Sequence, residues 1–261
     1  MIFKKRVAIL VTAYILSLNI GHASTQPSVF TPEQQAEVGK IAGDYLVAHP
    51  EILLQVSQKL QQQQRARQQI TMAVAVMGNQ AQLLNDKNTP AIGPDNAKVA
   101  VIEFFDYQCV YCSKFAPELK NVMTANPGVK FMFKEWPIFG SRWRTSQDAA
   151  RHGLVIWKNF GAQSYMVYHD ALYQTGHVEG ALTEDDINAA VQKAASDKKG
   201  NPVEVDSEIE ANNELAQKLG LTGTPGLIIM PVTDATPDKI TVLPGVAPQA
   251  VIEEAIAHAA K

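Results

Sequence analysis

Cysteine is almost absent from this sequence, whose 261 residues include only Cys109 and Cys112. A structural zinc site needs about four ligands, so histidines would have to supply those that the two cysteines do not. None of them stands at ligand-like spacing from the cysteines: His152, His169, His177 and His258. An inert structural disulfide is a second alternative, but so short a loop would constrain the unfolded chain very little. The two-residue gap therefore favours a redox pair that closes and reopens as a disulfide.

A strong excess of charge of one sign is also lacking. The chain carries 23 basic and 26 acidic residues, a net charge of −3. This balance gives no reason to expect nucleic acid or an anionic membrane as a partner. Internal repeats are absent too. The length and the apolar fraction of 46% predict one large domain with a proper core, or one domain plus an appendage.

The apolar run at the N-terminus, residues 7–20, is too short for a comfortable membrane span. Lys4, Lys5 and Arg6 precede it, and the small residues of Gly21-His22-Ala23 follow it. This order predicts a secretory signal peptide over residues 1–23, cut after Ala23, with a retained anchor as the alternative. Export from a bacterium-like cell would place the protein in the periplasm, where disulfides persist.

The cysteine pair is predicted to lie where a buried strand meets a helix. Residues 98–105 are mostly apolar, with β-branched and aromatic side chains typical of a strand, and residues 109–124 have helical periodicity. Cys109 would then lie at the helix N-terminus, where free N–H groups and the helix dipole favour an anion. A thiolate is that anion, and it is the reactive form of cysteine.

The stretch from Glu103 to Cys112, Glu-Phe-Phe-Asp-Tyr-Gln-Cys-Val-Tyr-Cys, is followed far downstream by Gly223-Thr224-Pro225. This combination resembles the DsbA-like thiol–disulfide oxidoreductases of the bacterial envelope, over about residues 97–261. The resemblance implies an α/β thioredoxin fold with a helical insertion at about residues 142–200. It also implies that no organic cofactor is needed, because the dithiol itself is the redox group.

The resemblance assigns roles to the residues of the motif. Cys109 is expected to be the nucleophile and Cys112 the resolving thiol, while Val110 and Tyr111 tune the pair. Strong oxidants of the family have a histidine directly before the second cysteine. The neutral Tyr111 should stabilise the thiolate less, which predicts a milder oxidant with an isomerase-like motif.

Three further residues complete the predicted site. Glu103, in an otherwise apolar strand, is expected to assist proton transfer at the inner thiol, with Lys134 as a possible partner; a solvent-facing glutamate at a strand edge is the alternative. Pro225 resembles the family's cis-proline that faces the cysteines. Thr224 would pair through its backbone with an extended substrate segment, and a threonine here again resembles isomerases.

Residues 24–84 are predicted to form a helical arm, and residues 85–96 a linker to the catalytic domain at 97–261. Thr31 and Gln34 have the spacing of a capping box, and the helices that follow carry apolar stripes with no evident place in a thioredoxin fold. The extension resembles a subgroup that oligomerises, as in the ScsC and DsbC types. We therefore expect a homodimer or small homo-oligomer.

The function predicted from the sequence is to form or isomerise disulfide bonds in exported proteins that contain cysteines. A membrane redox partner, a DsbB-like oxidase or a DsbD-like reductase, would set the resting redox state. Three alternatives stay open. They are a copper(I)-binding envelope protein that uses the same two soft sulfurs, a chaperone that acts without thiols, and a pure reductase.

Overall fold

A computed structural model of the chain describes residues 29–195 and 199–261. The predicted signal peptide lies outside the described residues. The chain divides between Lys59 and Leu60 into two compact units. Among the described helices, none combines the length and the apolar character that crossing a bilayer requires.

The described residues contain eight α-helices, one short 3₁₀ helix at Pro237–Lys239 and five strands. The helices are α1 Pro32–Ala48, α2 Glu51–Gly78, α3 Gln80–Leu84, α4 Val110–Ala125, α5 Arg144–Gln174, α6 Glu184–Ala195, α7 Asp206–Lys218 and α8 Gln249–Ala259. The strands are β1 Ala91–Ile92, β2 Val99–Phe105, β3 Lys130–Glu135, β4 Gly226–Pro231 and β5 Thr241–Pro244.

The first unit consists of helical residues that bury almost none of their surface. Helix α1 begins with the predicted capping box, in which Thr31 N donates to Gln34 Oε1 over 2.9 Å and Gln34 N donates to Thr31 Oγ1 over 3.3 Å. No residue of α1 is buried. The apolar side chains of the predicted stripes are exposed, among them Val38, Ile41 and Tyr45. A water-exposed apolar stripe of this kind is typical of a surface that another chain covers.

The second unit is built on a five-stranded sheet with the order β1-β3-β2-β4-β5. Strands β2 and β3 are parallel, and the remaining neighbours are antiparallel. Helix α4 makes the crossover between β2 and β3, as a parallel pair requires. This arrangement is the predicted thioredoxin fold, and the helical insertion lies between β3 and α7 as α5, which is kinked at Gly161, and α6.

Helices cover both faces of the sheet. Alternate residues of β2 point to opposite sides, and the first face, with Val101, Glu103 and Phe105, lies in the core that α4, α5, α6 and α8 complete. The second face, with Ile102 and Phe104, packs against α7 and against the end of α2. The strand that leads to the cysteines is therefore buried on both sides.

The division of the chain differs from the one predicted from the sequence. Met72, Ala73 and Val76 on α2, together with Leu83 on α3, are buried in the core on the second face of the sheet. Residues from Leu60 onward therefore belong to the unit that contains the sheet, not to a separate arm that ends at 84. The periodicity of α2 shows an apolar stripe but does not reveal what the stripe packs against.

The predicted linker at 85–96 contains the edge strand β1, which pairs antiparallel with β3. A strand of two residues is too short to produce an alternating pattern, so no sequence signal marks it. At the opposite edge of the sheet, a side chain of α2 contacts strand β5: Gln69 Nε2 donates to the Val242 carbonyl over 2.7 Å.

Helix α5 passes very close to the end of β3. A Cβ atom on Gly153 would lie 2.6 Å from Glu135 Oε1. That oxygen cannot easily move, because it accepts hydrogen bonds from Tyr107 Oη over 3.1 Å and Tyr165 Oη over 2.9 Å. Glycine at 153 is therefore a packing requirement, not a matter of backbone conformation.

We predict that Gly153→Ala destabilises the protein by about 1 kcal/mol, since an overpacking cost of about 1–3 kcal/mol outweighs the roughly 1 kcal/mol that alanine gains over glycine in a helix. Urea unfolding at neutral pH measures this change. Gly78→Ala is the matched control, because nothing lies within 4 Å of the added methyl group. Equal stability of the Gly153→Ala variant and the wild type would show that the carboxyl group can move aside.

Candidate active site

The two cysteines lie at the junction of β2 and α4, as predicted. Cys109 is the N-cap of α4, with extended backbone angles of φ −79° and ψ 117°, and Cys112 lies in the first turn. No acidic residue occupies that turn. The cysteines are not joined to each other in this structure. Both are buried, Cys109 at 3% exposure and Cys112 at 1%.

The surroundings of Cys109 favour its anion. A hydrogen bond from the Cys112 thiol, assisted by one from Thr224 and by the backbone N–H groups of Cys112 and Tyr111, lowers the pKa of Cys109 to about 6, although burial opposes this shift. The N–H groups belong to the unpaired donors that every helix has at its N-terminus. At neutral pH Cys109 is therefore mostly a thiolate.

Thr224 contacts the cysteine through its backbone and offers it a hydroxyl group. The Cys109 Sγ atom lies 3.3 Å from the Thr224 carbonyl oxygen, to which the thiol form donates. The Thr224 Oγ1 atom is buried and accepts or donates no other hydrogen bond within the described residues, so it is available to the thiolate. The Thr224–Pro225 peptide bond is cis, as predicted. Sequence reasoning assigned Thr224 to substrate binding and missed the hydroxyl as a donor to sulfur.

Cys112 has the opposite protonation state. Burial, followed by the hydrogen bond with Cys109, raises the pKa of Cys112 well above its ordinary value. Cys112 is therefore a neutral thiol at physiological pH. One turn of helix thus separates an ionised sulfur from a protonated one, which gives the pair a defined polarity.

Glu103 lies on the central strand of the sheet and is nearly inaccessible to solvent, so the alternative of an exposed edge glutamate is wrong. Burial, and then the charge of Cys109, raise the pKa of Glu103 to about 8. The sheet register pairs Glu103 with Phe133 and Leu227 on the face that also carries the cysteines. The carboxyl group and the two thiols therefore share one side of the sheet.

Lys134 is not the partner of Glu103 that the sequence predicted. The register pairs Lys134 with Phe104, which places it on the opposite face of the sheet. Its Nζ atom donates to Asp86 Oδ2 over 2.9 Å and lies 2.5 Å from Thr89 Oγ1. A shift of one residue along neighbouring strands reverses the face, and the sequence alone does not supply the register.

The surface around the cysteines is partly apolar. The side chain of Tyr111 is 61% exposed, and Val110 is half-buried. Strand β5 pairs Pro244 with Gly226, the residue after Pro225, and the exposed Val246 follows two positions later. Within the two described ranges, no group of three or more His, Cys, Asp or Glu side chains could hold a metal ion.

Four buried polar residues in or against the segment that precedes the cysteines were not identified from the sequence: Asp106, Gln108, Glu135 and Ser146. Asp106 and Gln108 directly precede the pair, and polar residues at the end of an apolar strand were the signal that could have indicated them. Glu135 and Ser146 carry no such signal, since only the fold brings β3 to Tyr107 and α5 to Asp106.

Comparisons with known proteins agree with this geometry. The family model for thioredoxin matches residues 85–234, more than half of the chain. A second model, for the copper resistance protein ScsC N-terminal domain, matches residues 34–67. The chain is 26% identical over 159 residues to disulfide bond formation protein D of Bacillus subtilis, covering 55% of this chain and 68% of that protein.

Two solved structures are similar over most of their length. BcfH of Salmonella enterica Typhimurium is 38% identical, with 88% of this chain and 97% of that chain covered and a TM-score of 0.73. ScsC of Proteus mirabilis in a transitional conformation is 28% identical, with 89% and 97% covered and a TM-score of 0.60. The resemblance inferred from the cysteine motif is thereby confirmed: the chain belongs to the thioredoxin-like family of thiol–disulfide oxidoreductases and carries the ScsC type of N-terminal segment.

Proposed function

We propose that this protein forms or isomerises disulfide bonds in exported proteins. The observation that carries the proposal is the polarised pair, in which Cys109 has a pKa of about 6 and the pKa of Cys112 is raised well above its usual range. The ionised sulfur of Cys109 attacks a disulfide. The sulfur of Cys112 stays protonated, and therefore unreactive, until it resolves the mixed disulfide. The dithiol supplies both electrons.

In the reducing direction, the Cys109 thiolate attacks one sulfur of a substrate disulfide and the other substrate sulfur leaves as a thiolate. Cys112 then loses its proton and attacks Cys109 Sγ, so the second substrate sulfur leaves. The charge of Cys109 contributes to the raised pKa of Glu103. Formation of the mixed disulfide removes that charge and lowers the pKa of Glu103, which then releases its own proton to solvent. Its carboxylate can now accept the Cys112 proton.

In the oxidising direction the same groups act in reverse. A substrate thiolate attacks Cys109 Sγ of the oxidised pair, and Cys112 leaves as a thiolate that takes a proton from Glu103. A second substrate thiolate then attacks the substrate sulfur of the mixed disulfide, and Cys109 leaves as a thiolate. The low pKa of Cys109 makes it a good leaving group in this step.

The substrate is proposed to bind as an extended segment along the residues before Pro225. The Thr224 carbonyl lies within 3.3 Å of Cys109 Sγ, so a strand paired to this backbone would bring its cysteine to the nucleophile. The exposed ring of Tyr111 would pack on the substrate's neighbouring side chains. As Tyr111 carries no charge, the pair should be a milder oxidant than one with a histidine there, which favours isomerisation.

We further propose that the protein works in the periplasm and that its N-terminal helices hold two or more copies together. The exposed apolar stripe on α1 favours a partner with an apolar surface, and a second copy of the chain presents the same stripe. Paired active sites would hold a misfolded substrate while its bonds are exchanged. A DsbB-like oxidase or DsbD-like reductase in the membrane would reset the dithiol.

Replacing each cysteine separates the two roles. Cys109→Ala should abolish insulin reduction and the refolding of scrambled ribonuclease, because no nucleophile remains. Cys112→Ala should accumulate mixed disulfides, since nothing resolves them, and these are visible on non-reducing gels. Alkylation of the reduced wild type at pH 7 should label Cys109 first, and faster labelling of Cys112 would reverse the assignment. Refolding activity that survives both replacements would favour the thiol-independent chaperone.

Glu103→Gln should slow turnover and change the pH dependence of stability. The folded pKa of about 8 exceeds the unfolded value of 4.5. The folded wild type therefore holds a proton that the unfolded chain has lost, and its stability falls as the pH rises from 4.5 to 8, by on the order of 4 kcal/mol. The variant should lack this decline in urea unfolding of the reduced protein. Glu118→Gln, an exposed position on α4, is the control. Parallel curves for Glu103→Gln and wild type would contradict the assignment.

The oligomer is tested by charging the exposed stripe. Ile41→Lys with Tyr45→Lys should convert the assembly to a monomer at micromolar concentration while keeping dithiol activity on insulin, because both side chains are exposed within the single chain. Sedimentation velocity gives the mass. Glu37→Lys, an exposed polar position on the same helix, is the matched control. A monomeric wild type would refute the oligomer and the isomerase argument that depends on it.

A further inference from the structure

Three polar or aromatic residues connect strand β2 to the nucleophile, and all of them are buried. Asp106, Tyr107 and Gln108 have at most 2% of their surface exposed. A connecting segment normally runs over the surface, because its backbone groups need partners. Here the partners come from other parts of the fold. The segment holds Cys109 directly, since Cys109 N donates to the Asp106 carbonyl over 3.0 Å.

Gln108 uses both ends of its side-chain amide and its own carbonyl. Its Nε2 atom donates to Thr145 Oγ1 over 2.6 Å, and its Oε1 atom accepts from Gly180 N over 2.8 Å. The Gln108 carbonyl accepts from Glu179 N over 2.9 Å. Thr145 lies at the start of α5, and Glu179 and Gly180 lie in the loop before α6. All three partners therefore belong to the helical insertion.

Asp106 makes a parallel set of contacts. Its Oδ2 atom accepts from Ser146 Oγ over 2.8 Å and from Phe139 N over 2.9 Å, and its Oδ1 atom accepts from Gln108 N over 2.8 Å. Its carbonyl accepts from Tyr173 Oη over 3.3 Å. Asp106 thus binds the residues around the beginning and the end of α5, whereas Gln108 links the start of α5 to the loop at 179–180.

We propose that Gln108 is a positioning residue through which the helical insertion holds the sulfur of Cys109 against Thr224 and the first amides of α4. The Cys109 thiolate depends on donors from two separate parts of the chain, and hydrogen bonds weaken steeply with distance and angle. Gln108 is bonded covalently to Cys109, so its three contacts limit how far the sulfur can move from those donors. The inference rests on the proposed role of Cys109 as the nucleophile.

The experiment measures the thiolate of Cys109 in the full-length reduced protein, by absorbance at 240 nm across pH and by the rate of iodoacetamide labelling at pH 6. Cys112 does not interfere, because its pKa is raised well above the ordinary value. Gln108→Ala should lower the thiolate fraction at pH 6 about fivefold, which corresponds to an upward shift of about one pKa unit.

Thr145 provides a milder test that leaves Gln108 in place. Thr145→Val removes the acceptor of the Gln108 amide and should lower the thiolate fraction at pH 6 about twofold, and Thr145→Ser, which keeps the hydroxyl group, should restore the wild-type titration. This pair answers the question even if Gln108→Ala does not fold.

Wild-type titration of Cys109 in both Gln108→Ala and Thr145→Val, with only a lower melting temperature, would overturn the proposal and make Gln108 a structural residue. The same conclusion would follow if Thr145→Ser shifted the titration as Thr145→Val does. No protein substrate is used, so failure here is distinct from failure of the proposed function. A wild-type protein whose Cys109 titrates as expected but that neither forms nor isomerises disulfides would refute the proposed function and leave the role of Gln108 intact.

Discussion

A negative charge on the buried sulfur of Cys109 is the constraint on which the rest of this structure depends. Burial alone would neutralise a thiolate. The charge persists because the Cys112 thiol, Thr224 and the first amides of α4 all direct hydrogen atoms toward it. These groups come from two stretches of chain more than a hundred residues apart, so the fold must bring β2, α4 and the start of β4 into one register before the site exists.

The same charge links the two thiols to Glu103. A carboxyl group buried on the central strand is costly when ionised, and the nearby thiolate makes ionisation costlier still. The two groups therefore tend not to be charged together. In the proposed exchange, the repulsion ends when Cys109 enters a covalent bond, so Glu103 ionises more readily and its carboxylate is present when Cys112 must lose a proton. A single electrostatic coupling thus orders the steps of the exchange without a metal or an organic group in the proposed scheme.

The apolar residues of the N-terminal helices differ in burial along the chain. No residue of α1 is buried, whereas Met72 and Val76 of α2 lie in the core on the second face of the sheet. One helix, α2, thus begins in one compact unit and ends in the other. The proposed assembly would therefore depend on the stripe of α1, and the stability of the unit that contains the sheet on residues such as Met72.

Local patterns in the sequence determined much of this protein. The apolar run of β2, the Cys-x-x-Cys spacing, the capping box at Thr31 and the Thr224-Pro225 pair each depend on neighbouring residues, so they predicted the fold, the position of Cys109 at a helix N-terminus and the family. Only the tertiary structure decided which distant groups meet. It placed Lys134 on the face away from Glu103, packed the end of α2 into the core, and brought Thr145 and Gly180 to Gln108. The physical reason is that strand register and helix packing are set by the summed burial of many side chains, which no single stretch of sequence contains.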